Sequence, residues 1–246
     1  MKAIKMAALI SLSVLVLVIP ASRGGSEEKR ETPQPQGGES QTKAPATTVA
    51  APVYKPPLRG APGGRVGGGT RGSGREVFVL SVLAPDHSGL TVTEQPSLFW
   101  FISSVTSAPV ELTVMDPRAT EPVFETRISP PVAPGVHRLR LADHGVRLSP
   151  GVPYRWFVAV VLDSGRRSKD VLAGGAIERV ALPEGLGAKL AQAGKGELPF
   201  LYAEAGLWYD ALTAISELIE AAPYDPVFRR QRGLLLAQVG LPGIGE

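Results

Sequence analysis

The hydrophobic pattern changes character several times along the chain. From Met6 to Ile19 it is nearly continuous, with Lys2 and Lys5 before it and Pro20-Ala21-Ser22 after it. Charged, apolar and small residues in that order make a secretory signal. An apolar helix of 14 residues spans about 21 Å, short of the roughly 30 Å hydrocarbon core. Residues 1–21 are therefore expected to be a signal peptide cleaved after Ala21 or Ser22. The alternative is an uncleaved anchor, the one case in which the protein would meet a membrane. Residues 22–75 then lose all periodicity. Their few apolar positions repeat at neither 2 nor 3.6 residues, so no face is offered for burial, and the segment reads as a disordered arm.

From Val77 the pattern becomes a series of short β-runs with turn signals every 8–12 residues. The runs are 77–83, 89–93, 97–102, 110–114, 123–128, 136–141, 154–162 and 176–180. No amphipathic helix interrupts them, which excludes βαβ crossovers and predicts antiparallel sheets packed as a β-sandwich over residues 76–182. After Pro183 the period lengthens to 3.6. Trp208, Ala211, Leu212, Ile215, Leu218, Ile219 and Ala222 fall on one helical face, with Asp210, Glu217 and Glu220 assigned to the other. Pro223 stops that helix. Asp225-Pro226 reads as the N-cap and first position of another, ended by Gly240. An earlier helix starts near Leu198-Pro199. Residues 183–246 are thus expected to form a small docked helical hairpin. The predicted fold class is mainly β: a sandwich followed by that hairpin and preceded by signal and arm.

Two local spacings carry resemblances. Leu148-Ser149-Pro150-Gly151-Val152-Pro153-Tyr154 resembles the tyrosine corner of fibronectin type III and related immunoglobulin-like sandwiches, in which the Tyr hydroxyl bonds upstream backbone. Trp100 stands where such domains often place a core Trp. Tyr202, Gly206, Trp208, Ala211 and Pro223 resemble the spacing of a tetratricopeptide repeat, although only about one and a half repeats fit. Trp208 lies on the apolar stripe and is expected in the core.

Composition narrows the chemistry. The 246 residues contain no Cys and three His. Disulfides, thiolate nucleophiles and Cys-ligated metals are excluded together. There is no Asn, hence no glycosylation sequon. The arm carries 9 Lys/Arg against 4 Asp/Glu, and all four acids precede residue 40. Lys43 to Arg75 is purely basic, while the body 76–246 carries 15 Lys/Arg against 19 Asp/Glu. A basic arm tethered to an acidic body has three readings: a solvated spacer, a contact for an anionic surface, or a segment that folds back on its own body. Arg59, Arg65, Arg71 and Arg75 are the candidate binding residues of the second reading, with an anionic cell-wall polymer as ligand. The third makes 54–75 the docking stretch, anchored by Tyr54, with 22–53 as plain spacer. Tyr54 is the arm's only aromatic, so nucleic acid, which needs stacking partners, is not expected.

The apparent motifs carry little. Gly67-Gly68-Gly69-Thr70-Arg71-Gly72 has the letters of a dinucleotide fingerprint, but coil precedes it and β-rich sequence follows. Asp86-His87-Ser88 has the letters of a triad, yet three consecutive residues cannot converge as a triad must. It reads as a polar turn, as does Asp143-His144. His137 alternates with Leu139 and Leu141 and reads as a packed histidine. No catalytic, cofactor-binding or metal-ligating residue is expected, and no cofactor.

The order of parts as a whole resembles the DUF928 family, a domain of unknown function. The resemblance rests on Tyr54-Lys55-Pro56-Pro57, Arg59-Gly60-Ala61-Pro62, Val66 to Gly72, Leu83-Ala84-Pro85, Leu98-Phe99-Trp100-Phe101, Leu148-Ser149-Pro150 with Tyr154-Arg155-Trp156, and Gly206 to Leu212. It implies the architecture and export and supplies no chemistry. The expected function is that of a non-enzymatic exported protein, periplasmic or extracellular, that binds another envelope protein or assembles a complex. The alternative is a cell-wall or glycan-binding module using the basic arm.

Overall fold

The computed structural model describes residues 49–57, 64–67 and 78–244. The signal segment, Arg59, Arg71, Arg75 and the glycines at 68, 69 and 72 lie outside them. Among the described residues nine strands precede four α-helices: β1 Val66–Gly67, β2 Leu80–Val82, β3 Gly89–Thr91, β4 Ser97–Ile102, β5 Val110–Met115, β6 Phe124–Ile128, β7 Gly135–Arg140, β8 Pro153–Val160 and β9 Val171–Arg179. The helices are α1 Leu186–Gln192, α2 Leu198–Glu204, α3 Trp208–Ala221 and α4 Pro226–Ala237.

The strands make two sheets. One runs β1-β9-β8-β5-β6, with β3 also on β9; the other runs β2-β4-β7. β5 shows why alternation builds this layer: Val110, Leu112 and Val114 are buried, while Glu111, Thr113 and Met115 between them are half-buried. β4 is closed on both faces, with Leu98, Phe99, Trp100 and Ile102 all buried, as its unbroken apolar run requires.

One pairing departs from the antiparallel expectation. β3 runs parallel to β9, Gly89 opposite Ile177 and Thr91 opposite Arg179. All other strand pairs are antiparallel. β3 covers only the C-terminal half of β9's edge. The other half is taken by β1 from the arm, Val66 opposite Gly174 and Gly67 opposite Ala173. The two short strands lie end to end and close an edge that would otherwise present unpaired backbone.

β9 begins at Val171, earlier than its sequence suggests, because Gly174-Gly175 reads as a break. Both glycines sit inside the strand for packing. A Cβ on Gly174 would lie 2.6 Å from the Phe157 ring, and one on Gly175 would lie 2.9 Å from the Ala84 Cβ and 3.0 Å from the Trp156 indole.

The C-terminal part holds four helices where a hairpin was expected. They do not form a separate body. Trp208, Tyr209, Ala211, Leu212 and Ile215 of α3 belong to the same core cluster as Leu80, Trp100, Leu112 and Trp156 of the sheets. Buried polar bonds tie the layers. The Trp208 indole N–H donates to the Leu83 carbonyl at 2.9 Å. The Tyr209 hydroxyl accepts from the Trp156 indole at 2.8 Å and donates to the Ala176 carbonyl at 3.0 Å. Pro199 opens α2, Asp225 caps α4 through the Val227 N–H, and α3 ends just before Ala222-Pro223.

Trp100 stacks on His137 with ring centroids 5.2 Å apart and planes 14° apart. Asp210, placed on the polar face of α3 by periodicity, is buried. It accepts from the Thr93 hydroxyl at 2.7 Å, the Val92 N–H at 3.0 Å and the Thr91 hydroxyl at 3.2 Å, so it closes the exit of β3. Helical spacing alone could not show that a strand end lies above this position.

Candidate functional site

The side chains with directed chemistry gather where the helices meet the arm. Gln231 of α4 and Gln238, the residue that caps its C-terminus, stand seven residues apart, two turns along one face. The Gln231 amide donates to the Ala50 carbonyl at 2.8 Å. The Gln238 amide donates to the Pro52 carbonyl at 2.8 Å, and its oxygen accepts from the Tyr54 N–H at 2.9 Å. A carboxamide carries both a donor and an acceptor, so Gln238 meets the backbone as a neighbouring strand would. The Lys55 N–H then donates to the Ala203 carbonyl of α2 at 3.0 Å. The chain approaches so closely here that a Cβ on Gly206 would sit 2.7 Å from the Lys55 carbonyl oxygen. Gly206 also holds φ +75°, a left-handed conformation that closes α2. Residues 50–53, expected to be spacer, are therefore tied to the helix by the Ala50 and Pro52 carbonyls, while the Ala50 and Val53 side chains stay exposed.

Tyr54 is the anchor. It is buried, with 7% of its surface exposed. Its ring meets Trp208 edge-on at 5.0 Å and stacks on His87 at 5.9 Å. Its hydroxyl lies 2.9 Å from His87 Nε2, and His87 Nδ1 lies 3.2 Å from the Asp86 carboxylate. With Nδ1–H directed at that carboxylate, Nε2 accepts from the phenol. Burial, with the Asp86 charge adding to it, raises the Tyr54 pKa well above its ordinary value. The Asp86-His87-Ser88 turn thus serves as a socket for the arm. The Ser88 hydroxyl is buried without a hydrogen-bond partner among the described residues.

Arg65, read as a free cation for an anionic ligand, is otherwise engaged. Its guanidinium donates to the carbonyls of Val239 at 3.0 Å, Ala84 at 3.3 Å and Gly240 at 3.5 Å. The neighbouring Gly64 N–H donates to the Asp86 carbonyl at 2.7 Å. The other three candidate arginines lie outside the described residues.

A second polar region, a cleft of about 360 Å³, lies between sheet and helices and is lined by Thr93, Arg138, Arg140, Tyr202, Asp210 and Glu217 among others. Its charges are spent on one another. Arg138 donates to Ser97 at 2.9 Å, Glu217 at 3.0 Å and Glu220 at 3.2 Å, with its guanidinium 5.6 Å from the Phe99 ring centre. Arg140 reaches Glu220 at 2.9 Å. The two glutamates assigned to a solvent face of α3 therefore bridge it to β7. Burial raises the Asp210 pKa despite its three hydrogen bonds.

The structural candidates are placed as follows. Trp100, Trp208 and Ala211 are buried. Tyr154 is buried, and its hydroxyl accepts from the Ser149 N–H at 3.2 Å, bonding upstream backbone across the turn. Pro223 follows the C-cap of α3. Sequence reasoning missed Gln231 and Gln238. Their i, i+7 spacing was a usable signal, but nothing in the sequence shows which backbone they face. Among the described residues no group of three His, Asp or Glu is placed to hold a metal ion, and no helix is long and apolar enough to cross a membrane.

The family described as Domain of Unknown Function (DUF928) matches residues 66–246, and the chain belongs to it. No curated protein and no solved structure matches the chain significantly.

Proposed function

We propose that this member of the DUF928 family is an exported, non-enzymatic envelope protein that binds a protein partner through the surface its helices share with the arm. The observation that carries this reading is the backbone-directed grip of Gln231 and Gln238 on residues 50–54. Polar groups that bond backbone hold an extended segment with little regard for its side chains, which leaves those side chains free to recognise something else. Val53 is 62% exposed on the held segment, and Val227 and Leu234 of α4 and Tyr224 before it are exposed beside the same helix face. These exposed apolar side chains offer contact area to a protein partner.

The finer likenesses belong to this proposal. Tyr202, Gly206, Trp208, Ala211 and Pro223 keep a tetratricopeptide-like spacing, and repeats of that kind present binding surfaces. The Tyr154 bond to Ser149 suits a fibronectin-like corner. Export rests on the charged start and short apolar run of residues 1–21. The rival reading, an anionic cell-wall polymer held by the arm's arginines, is weakened because Arg65 already donates to three carbonyls.

A photo-crosslinker placed at Val53, Val227 or Leu234 of the exported protein in its native envelope tests the proposal. We expect one discrete protein adduct common to all three positions and absent at Arg118, on the β5–β6 turn. No adduct at any of the three sinks the reading. Co-sedimentation with peptidoglycan that requires residues 22–75 would replace it with the polymer reading.

A further inference from the structure

The outer face of the larger sheet carries a groove of about 510 Å³ that the reading above does not use. Its floor follows from the register. Thr113 of β5, Phe157 of β8 and Gly174 of β9 lie side by side, and β1 extends that row by Val66. A side chain at 174 would collide with the Phe157 ring, whose Cδ1 and Cε1 lie 2.6 and 2.8 Å from the position of a Cβ there. The ring therefore lies over the neighbouring strand instead of standing off the sheet, and is half-buried. Leu172, 47% exposed, continues the apolar floor.

Planar polar groups wall this floor. Glu111 is held by Arg167 and, at 3.4 Å, by Arg127. Asp170 Oδ2 pairs with Arg167 Nε at 2.8 Å, and the Asp170 side chain is only 10% exposed. Its Oδ1 is buried without a hydrogen-bond partner among the described residues. A buried acceptor left without a donor is unfavourable by itself, which favours a small turn of the carboxylate that presents it to a ligand's N–H or O–H. Glu125 stands on the opposite side, exposed.

We infer that this groove is a saccharide site, with the Phe157 ring as the platform for a pyranose and Asp170, Glu125 and Arg167 as hydrogen-bond partners of its hydroxyl and acetamido groups. A half-buried ring that leans over its neighbouring strand can receive the C–H face of a sugar. Carboxylates and a guanidinium already fixed by one another offer their spare lone pairs and N–H groups in set directions. The volume lies in the range of small-ligand pockets. Three carboxylates against one guanidinium in the lining disfavour an anionic polymer. The inference is independent of the protein-partner reading, and its failure leaves that reading untouched.

The test titrates the mature full-length protein with a β-1,4-linked N-acetylglucosamine tetrasaccharide, followed by calorimetry and by methyl and aromatic NMR. We expect saturable binding, with shifts confined to Phe157, Ala159, Leu172 and Met115. Asp170→Asn and Phe157→Ala should each weaken binding at least ten-fold with melting curves still cooperative. If Phe157→Ala does not fold, the wild-type shift map and Asp170→Asn decide alone. Shifts confined to the arm or the helices overturn the proposal. So does binding of only the de-N-acetylated, cationic tetrasaccharide with loss in Glu125→Gln, which makes this a cation site. The absence of binding to either probe at millimolar concentration also overturns it.

Discussion

Strand β8 and the arm segment 50–57 both reach the core of the same protein, β8 along its length and the arm through Tyr54. They are held in opposite ways. β8 is paired on each side by backbone, with β5 along one edge and β9 along the other, and its alternating side chains fill the core. Among the described residues no strand lies beside the arm at 50–57. Side chains of α4 and a carbonyl of α2 supply what a strand would, and only Tyr54 enters the core cluster. A ladder demands periodicity from the strand it holds. A helix that reads backbone demands almost none, so the arm is free to be rich in Pro and Gly and still be part of the fold.

If the arm is an integral element, damage to its socket should weaken the protein as much as damage to the sheets. Trp208 joins both, carrying the Tyr54 ring and the bond to Leu83. Trp208→Ala should lower stability by about 3–5 kcal/mol in urea melts, the usual range for a fully buried indole. Tyr54→Ala should follow at about 3 kcal/mol, with the body still cooperative. An unchanged midpoint for Tyr54→Ala would reduce the arm to a loosely laid tether.

That comparison also shows what was legible in the sequence. Most strands and α3 were, because their apolar residues repeat with the period of the element; β1 was not, since Val66–Gly67 lies in a stretch read as an arm without periodicity. β4 matches its expected bounds at 97–102, and β5, β6 and β7 shift by a residue. The start of β9 was not, since Gly174 and Gly175 serve Phe157 and Trp156 across the sheet and look locally like a turn. Asp210 was misassigned for a related reason: its partners Thr91 to Thr93 come from a distant strand. The grip of Gln231 and Gln238 was hidden because polar helix residues ordinarily face water, and their i, i+7 spacing does not say which backbone they meet. Tyr54 alone stood out, as the single aromatic of its segment.

Asp210 sharpens the comparison between layers. Asp210→Ala leaves the Val92 N–H without its acceptor and should lower stability by about 2 kcal/mol. Its pH dependence has a definite sign. Burial raises its folded pKa above the ordinary 3.8, so the folded state binds the proton more tightly than the unfolded one. Its contribution is fully present below 3.8 and is lost as pH rises through the raised value. Relative to Asp210→Asn, the wild type should therefore gain stability as pH falls towards 3.8. A difference that is flat or reversed would mean the carboxylate is ionised at no cost in place.

The smallest expected effect tests the sheet side alone. Tyr154→Phe removes one hydrogen bond, to the Ser149 N–H, and should lower stability by about 1 kcal/mol in urea. No change would strip the turn at 148–154 of its structural role and leave the buried ring to hold β8 by packing alone.

The central claim, that the arm is a working part of the fold, is tested most directly by amide hydrogen exchange on the mature protein. The Tyr54, Lys55 and Gly64 amides donate to Gln238, Ala203 and Asp86, and should exchange within about ten-fold of the amides of β8. Exchange at the rate of an unstructured peptide at all three would contradict the account.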